Sequence, residues 1–139
     1  MSEIRKSLAI ALMDPPYETA RVATAFRLIE AALKRGIDVN VFAYEGAVSL
    51  GFVEQKPHAN AVKGTSLEEE DHPLTKDWVA GLVELGNGEK GRGKLDWVNC
   101  GLCVDERGME NQIAGRRGTP GDFNTFVQNS TNVLTIGTR

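Results

Sequence analysis

The stretch Ser7-Leu8-Ala9-Ile10-Ala11-Leu12-Met13 opens with one serine and is otherwise apolar. A run so short and so uniformly apolar has no face to offer water, which suits a strand buried on both sides of a parallel sheet. A loop must follow, because Asp14-Pro15-Pro16-Tyr17 places two prolines where neither a helix interior nor a strand ladder accepts them. From Ala20 the period becomes helical, with Thr19 as the expected N-cap and Val22, Ala25, Phe26, Ile29, Ala32 and Leu33 on one face. Lys34-Arg35-Gly36 is the charge and glycine arrangement favoured at a helix C-terminus. Asp38-Val39-Asn40-Val41-Phe42-Ala43 then reads as a second strand, completing a βαβ unit.

The same alternation continues. Tyr44–Leu50 is expected to hold a short helix beginning near Glu45, and Pro73–Leu85 a longer one with Trp78, Leu82 and Leu85 inward. Between them, Gly51–Pro73 shows little periodicity and carries Glu68-Glu69-Glu70-Asp71, so it is expected to be a functional lid or disordered. Gly86–Gly93 reads as a flexible connector and Lys94–Asn99 as a third strand. One or two helical turns are expected over Glu110–Gly115. A helix starts at Thr119-Pro120 with Phe123, Phe126 and Val127 buried, and Asn132–Gly137 is the last strand. Strands alternating with helices predict an α/β fold: one domain over 1–139, with a mostly parallel sheet of about five strands and helices on both faces. In such folds ligands bind beyond the carboxyl ends of the strands, which brings together the Asp14–Thr19 loop, the Tyr44–Gly46 turn and Cys100.

Both cysteines of the chain, Cys100 and Cys103, stand just past the third strand. Two cysteines at this spacing cannot build a disulfide framework, and no export signal precedes them. A reducing, cytoplasmic setting is therefore expected, with the thiols available for catalysis, redox work or metal. Net charge is −3, with no basic stripe to attract nucleic acid. The apolar runs are far shorter than the ~20 residues a membrane helix needs.

Four readings of Cys100-Gly101-Leu102-Cys103 compete on the residues alone. Zinc needs four ligands, and the two histidines, His58 and His72, lie far off in the aperiodic segment. A thioredoxin-like dithiol is expected after the first βα unit, whereas this pair stands behind two. Cysteine also serves as a small buried hydrophobe, a role that suits Cys103 better than the pair. The fourth reading is a nucleophilic thiolate at the end of a strand, where the N–H groups of Gly101 to Val104 converge.

A resemblance bears on that choice. Cys100 followed by Arg107-Gly108, the strand end Phe42-Ala43-Tyr44-Glu45-Gly46, the loop Asp14-Pro15-Pro16-Tyr17 and the closing strand Asn132–Ile136 together resemble the DsrE/DsrF/TusD-like sulfur-relay family. The resemblance spans nearly the whole chain, and it implies a sulfur carrier or sulfurtransferase. Cys100 would accept sulfane sulfur, as persulfide or thiosulfonate, and hand it to a partner thiol. Cys103, where the family usually has no second thiol, would be a resolving thiol, a second acceptor or filler. The resemblance further implies Gly101, Arg107, Tyr17 and Tyr44 as substrate-binding residues, with Arg116 and Arg117 as further cations and His58 as a lid base, each weighed against simple solvation or packing. It implies protein or inorganic sulfur donors and acceptors, no cofactor, no metal, and assembly as a homo-oligomer (trimer or hexamer) or with paralogous subunits. A non-catalytic subunit, or small-ligand-binding module, and a CxxC disulfide oxidoreductase remain as alternatives.

Overall fold

The computed structural model describes residues 5–137. Five strands form one sheet: β1 (Ser7–Leu12), β2 (Asp38–Ala43), β3 (Leu95–Cys100), β4 (Arg116–Gly118) and β5 (Asn132–Ile136). Their order is β4-β3-β2-β1-β5, and every neighbouring pair is parallel. The helices are α1 (Arg21–Lys34), α2 (Leu67–Glu70), α3 (Thr75–Leu85), α4 (Gly101–Arg107) and α5 (Pro120–Asn129), with a 3-10 helix at Glu45–Ser49. The fold class read from the sequence is the one found: an α/β domain with a parallel sheet between helical layers.

The two faces of the sheet are unequal. Ile10, Leu12, Val39, Val41 and Trp97 point toward α1 and α3, where Phe26, Ile29, Leu33, Val79 and Leu82 complete the larger core. Each such side chain stabilises the fold by roughly 1.5–3 kcal/mol through burial. The other face carries Ala9, Phe42, Val98 and Cys100, packed against Phe126 and Phe123 of α5. Cys100 is therefore part of a small, aromatic core.

Several expectations need correction. Glu110–Gly115 is not helical: Val53 N–H donates to Asn111 O and Ile113 N–H to Gly51 O, both at 2.8 Å, so this stretch is pinned extended against the residues after the 3-10 helix. Arg116-Arg117-Gly118, which has no apolar pattern, is the edge strand β4. Ala20, not Thr19, is the N-cap of α1, although the Thr19 hydroxyl accepts from the first helical N–H, that of Arg21, at 3.2 Å while donating to Asp14. On α3 Trp78, Leu82 and Leu85 do pack on the core, Trp78 with its ring 4.8 Å from that of Phe26, but Thr75 and Val79 join Leu82 as the buried residues of the helix. Val127 of α5 is exposed. The Gly86–Gly93 connector is tied down, since Gly93 N–H donates to Leu33 O at 2.9 Å and Arg92 Nε to Leu85 O at 2.9 Å.

The 51–73 segment is ordered around its own contacts. Ser66 and Glu69 form a capping box that starts α2 within the acidic run. Asn60 and Thr65 exchange backbone hydrogen bonds. Gln55 Nε2 donates to Ser49 O, Leu50 O and Thr75 Oγ1, fastening the segment to the start of α3.

Candidate active site at the carboxyl edge of the sheet

Because β2 and β3 are parallel neighbours with Ala43 opposite Asn99, the chain leaves both strands side by side. Tyr44 and Cys100 are the next residues on each. Beyond Tyr44, Glu45 takes a left-handed backbone conformation with φ 51°. That conformation costs a residue with a Cβ about 1–2 kcal/mol. It turns the Glu45 N–H toward the neighbouring strand's exit, where it donates to Cys103 Sγ at 3.0 Å.

The first loop closes in from the other side. A Cβ on Gly46 would lie 2.9 Å from the Pro15 ring, so only glycine lets the Pro15-Pro16 loop approach this turn. The three segments expected to gather at this edge do so.

Cys100 is at once the last residue of β3 and the N-cap of α4. It is 5% exposed. Its side chain makes no capping hydrogen bond, so the Gly101–Val104 N–H groups are not engaged by the thiol in the way the sequence suggests. Cys103, one turn along, is half-buried and packs on the cluster formed by Phe42, Val98, Cys100 and Phe126. The Cys100 thiol is its near neighbour. Burial pushes the Cys103 thiol above its usual range and Cys100 adds to this, while the Glu45 N–H and the Arg107 charge pull the other way. Both cysteines are free thiols.

Of the other residues singled out from the sequence, Tyr44 is at the site. It stacks on Phe42 with ring centroids 5.4 Å apart, and Cys103 contributes to its surroundings. Burial, first of all, raises its phenol above the ordinary value. Arg107 closes α4, donating from Nη1 to Cys103 O at 3.4 Å. Gly101 sits beneath the Arg117 guanidinium, which a Cβ would meet at 2.9 Å. Tyr17 is engaged elsewhere: its hydroxyl donates to Pro73 O, accepts from Thr75 N–H, and its ring packs on His72. His58 and His72 pair in the 51–73 segment, rings 6.0 Å apart. Among the described residues no group of histidines, cysteines and carboxylates is arranged to hold a metal ion.

Sequence reading passed over two features and named a third, Arg117, without its position. The Glu45 N–H is a backbone donor, so its residue type carries no signal. Arg117 reaches across from β4 to lie near Cys100, paired through two hydrogen bonds of 2.8 and 2.7 Å with Asp105. Its only sequence mark is the cation pair before Gly118. Phe123 and Phe126 were legible as a buried face of α5, but not as the wall behind the thiols.

The model of the DsrE/DsrF-like family matches residues 6–136. The chain belongs to that family. It is 30% identical over 130 residues to the uncharacterized protein MJ0989 of Methanocaldococcus jannaschii, covering 91% of this chain and 96% of that one. Among solved structures, it superposes on the ychN protein of E. coli with a TM-score of 0.71 at 20% identity, covering 94% and 98% of the two chains. A conserved protein of unknown function from Bacteroides thetaiotaomicron, BT1422, gives a TM-score of 0.64 at 11% identity, covering 94% and 95%. At those identities the likeness is one of fold. As a member of the DsrE/DsrF-like family, the chain fits a sulfur-relay type of function, and none of its described helices is long and apolar enough to cross a membrane.

Proposed function

We propose that this protein is a cysteine-based sulfur carrier: it takes sulfane sulfur, as persulfide or thiosulfonate, onto Cys100 and passes it to a partner thiol. The observation that supports this best is the pairing of two free thiols at the carboxyl edge of the sheet, one of them held by a peptide N–H at 3.0 Å. Transfer of a sulfane sulfur between thiols leaves oxidation state unchanged overall, so no cofactor is required. It does need a thiolate to attack and a thiolate to leave. Arg107, at the end of the helix that carries Cys103, favours anionic donors, whereas Arg117 is already paired with Asp105. Donors and acceptors are then either proteins carrying persulfides or inorganic polysulfur species. The protein would act in a reducing compartment such as the cytoplasm, where its thiols stay free, and as a homo-oligomer or with paralogous subunits.

The test is intact-mass measurement of the reduced protein after incubation with a low-molecular-weight persulfide or tetrathionate. The expected result is a reductant-labile sulfane or thiosulfonate adduct on wild type and none on the Cys100→Ser/Cys103→Ser double variant. A wild type that retains no sulfur under any donor overturns the carrier reading. Loss of two hydrogens without sulfur would instead favour a dithiol oxidoreductase.

A further inference from the structure

The carrier reading leaves open which thiol meets the donor. We propose that Cys103, not Cys100, is the receiving thiol, and that sulfur reaches Cys100 by an internal transfer between the two. This rests on the carrier reading and adds an order to it.

Three observations carry the order. Cys100 is 5% exposed at the end of a buried strand, whereas Cys103 is half-buried with solvent on its outer side. On α4 Cys103 lies between Leu102, 64% exposed, and Val104, 3% exposed, so it sits at the boundary between the helix's outer and inner faces. Cys103 Sγ is also the sulfur that holds a built-in donor, the Glu45 N–H, presented by a backbone conformation that a glutamate adopts only at a cost. A thiolate leaving or attacking at that position keeps one hydrogen bond to its developing charge. Finally, Cys103 stands one helical turn after the N-cap Cys100 and packs against the same cluster, which places the two thiols on one side of the helix as near neighbours.

The steps balance without an added oxidant or reductant. The Cys103 thiolate attacks the terminal sulfur of a donor R–S–SH. The donor S–S bond breaks, R–S⁻ leaves with the electron pair, and Cys103 becomes the persulfide. The Cys100 thiolate then attacks that outer sulfur, a new S–S bond forms on Cys100, and Cys103 leaves as thiolate, taking up the proton that Cys100 gave up. The sulfur ends on the thiol walled by Phe42, Val98 and Phe126, where water and competing thiols have little access.

The experiment mixes reduced protein with glutathione persulfide, quenches it at intervals with an alkylating agent, and maps the extra sulfur by peptide mass spectrometry. In wild type the label is expected on Cys103 first and on Cys100 later. Cys100→Ser is expected to load and keep the label on Cys103. Cys103→Ser and Cys103→Ala, with folding checked by circular dichroism, are expected to load about tenfold more slowly or worse, since only a shielded thiol is left. Label appearing first on Cys100 in wild type overturns the order, as does wild-type loading of Cys100 in folded Cys103 variants. Either result leaves the carrier reading standing. Should the Cys103 variants fail to fold, the wild-type time course alone decides. No label on either thiol of wild type would remove both proposals.

Discussion

At the residue scale the site depends on a few positions whose backbone or side chain has one job. Glu45 is one: its side chain is exposed, and what matters is a left-handed peptide that delivers an N–H to Cys103. Glycine adopts that conformation freely, so Glu45→Gly should keep the hydrogen bond. Thermal unfolding should show it unchanged or more stable by up to about 1 kcal/mol, with sulfur loading intact. Glu45→Val should fall below wild type in the same assay, because a β-branched side chain tolerates this conformation less well than glutamate does. Cys103 supplies a second prediction. Because burial holds its proton on above the usual thiol range, its alkylation rate should still be climbing above about pH 8.5, by close to tenfold per unit. A plateau near neutral pH would show instead that the Glu45 N–H and Arg107 outweigh burial.

At the element scale, α5 brings Phe123 and Phe126 over the face of the sheet that carries Cys100, so its integrity bears on how well the thiol is shielded. Its N-terminus is held by a capping box in which Asp122 accepts from Thr119 N–H at 2.8 Å. Asp122→Ala, which removes the acceptor of that bond, should lower stability by about 1 kcal/mol, read by urea unfolding. It should also raise alkylation of Cys100, a coupling that a remote cap would not produce. The contrast between this helix and the ones read correctly shows what the sequence can carry. Strands β1, β2 and β3 are buried, and their apolar runs announce them. The helix α1 has a single inward stripe, and its period announces it. The edge strand β4 has no such mark, because two exposed arginines and a glycine satisfy their surroundings through ion pairs: Arg116 to Asp96 and Asp122, Arg117 to Asp105. The 110–115 stretch was misread for a related reason, its conformation being set by hydrogen bonds to residues 51 and 53 rather than by local pattern. Likewise the cysteine pair stood out by residue type, while its N–H donor and aromatic wall come from chain segments distant in sequence.

For the molecule as a whole, acid should weaken the fold in a defined window. Asp38 is held below the ordinary carboxylate range chiefly by its hydrogen bond to Arg5, Asp105 by Arg117, and Asp122 by the Thr119 N–H and then Arg116. A carboxylate easier to ionise in the folded state contributes stability above its unfolded pKa of about 3.9, and that contribution drains away as pH falls below it. Urea midpoints should therefore hold steady from pH 7 to pH 5 and drop below about pH 4. Asp122→Asn should begin lower and drop less. These groups are largely exposed, so each effect is small and screened by salt. The sheet's connectivity has a different consequence. The first and last strands lie side by side and run the same way, with Leu8 opposite Asn132 and Leu12 opposite Ile136. A stretching force applied through the two ends of the chain acts along these strands in opposite senses, sliding one past the other. The β1–β5 bonds are then strained together, not peeled apart one at a time. In single-molecule pulling the domain should stay closed until one abrupt rupture, holding its buried thiol shielded against mechanical load up to that point.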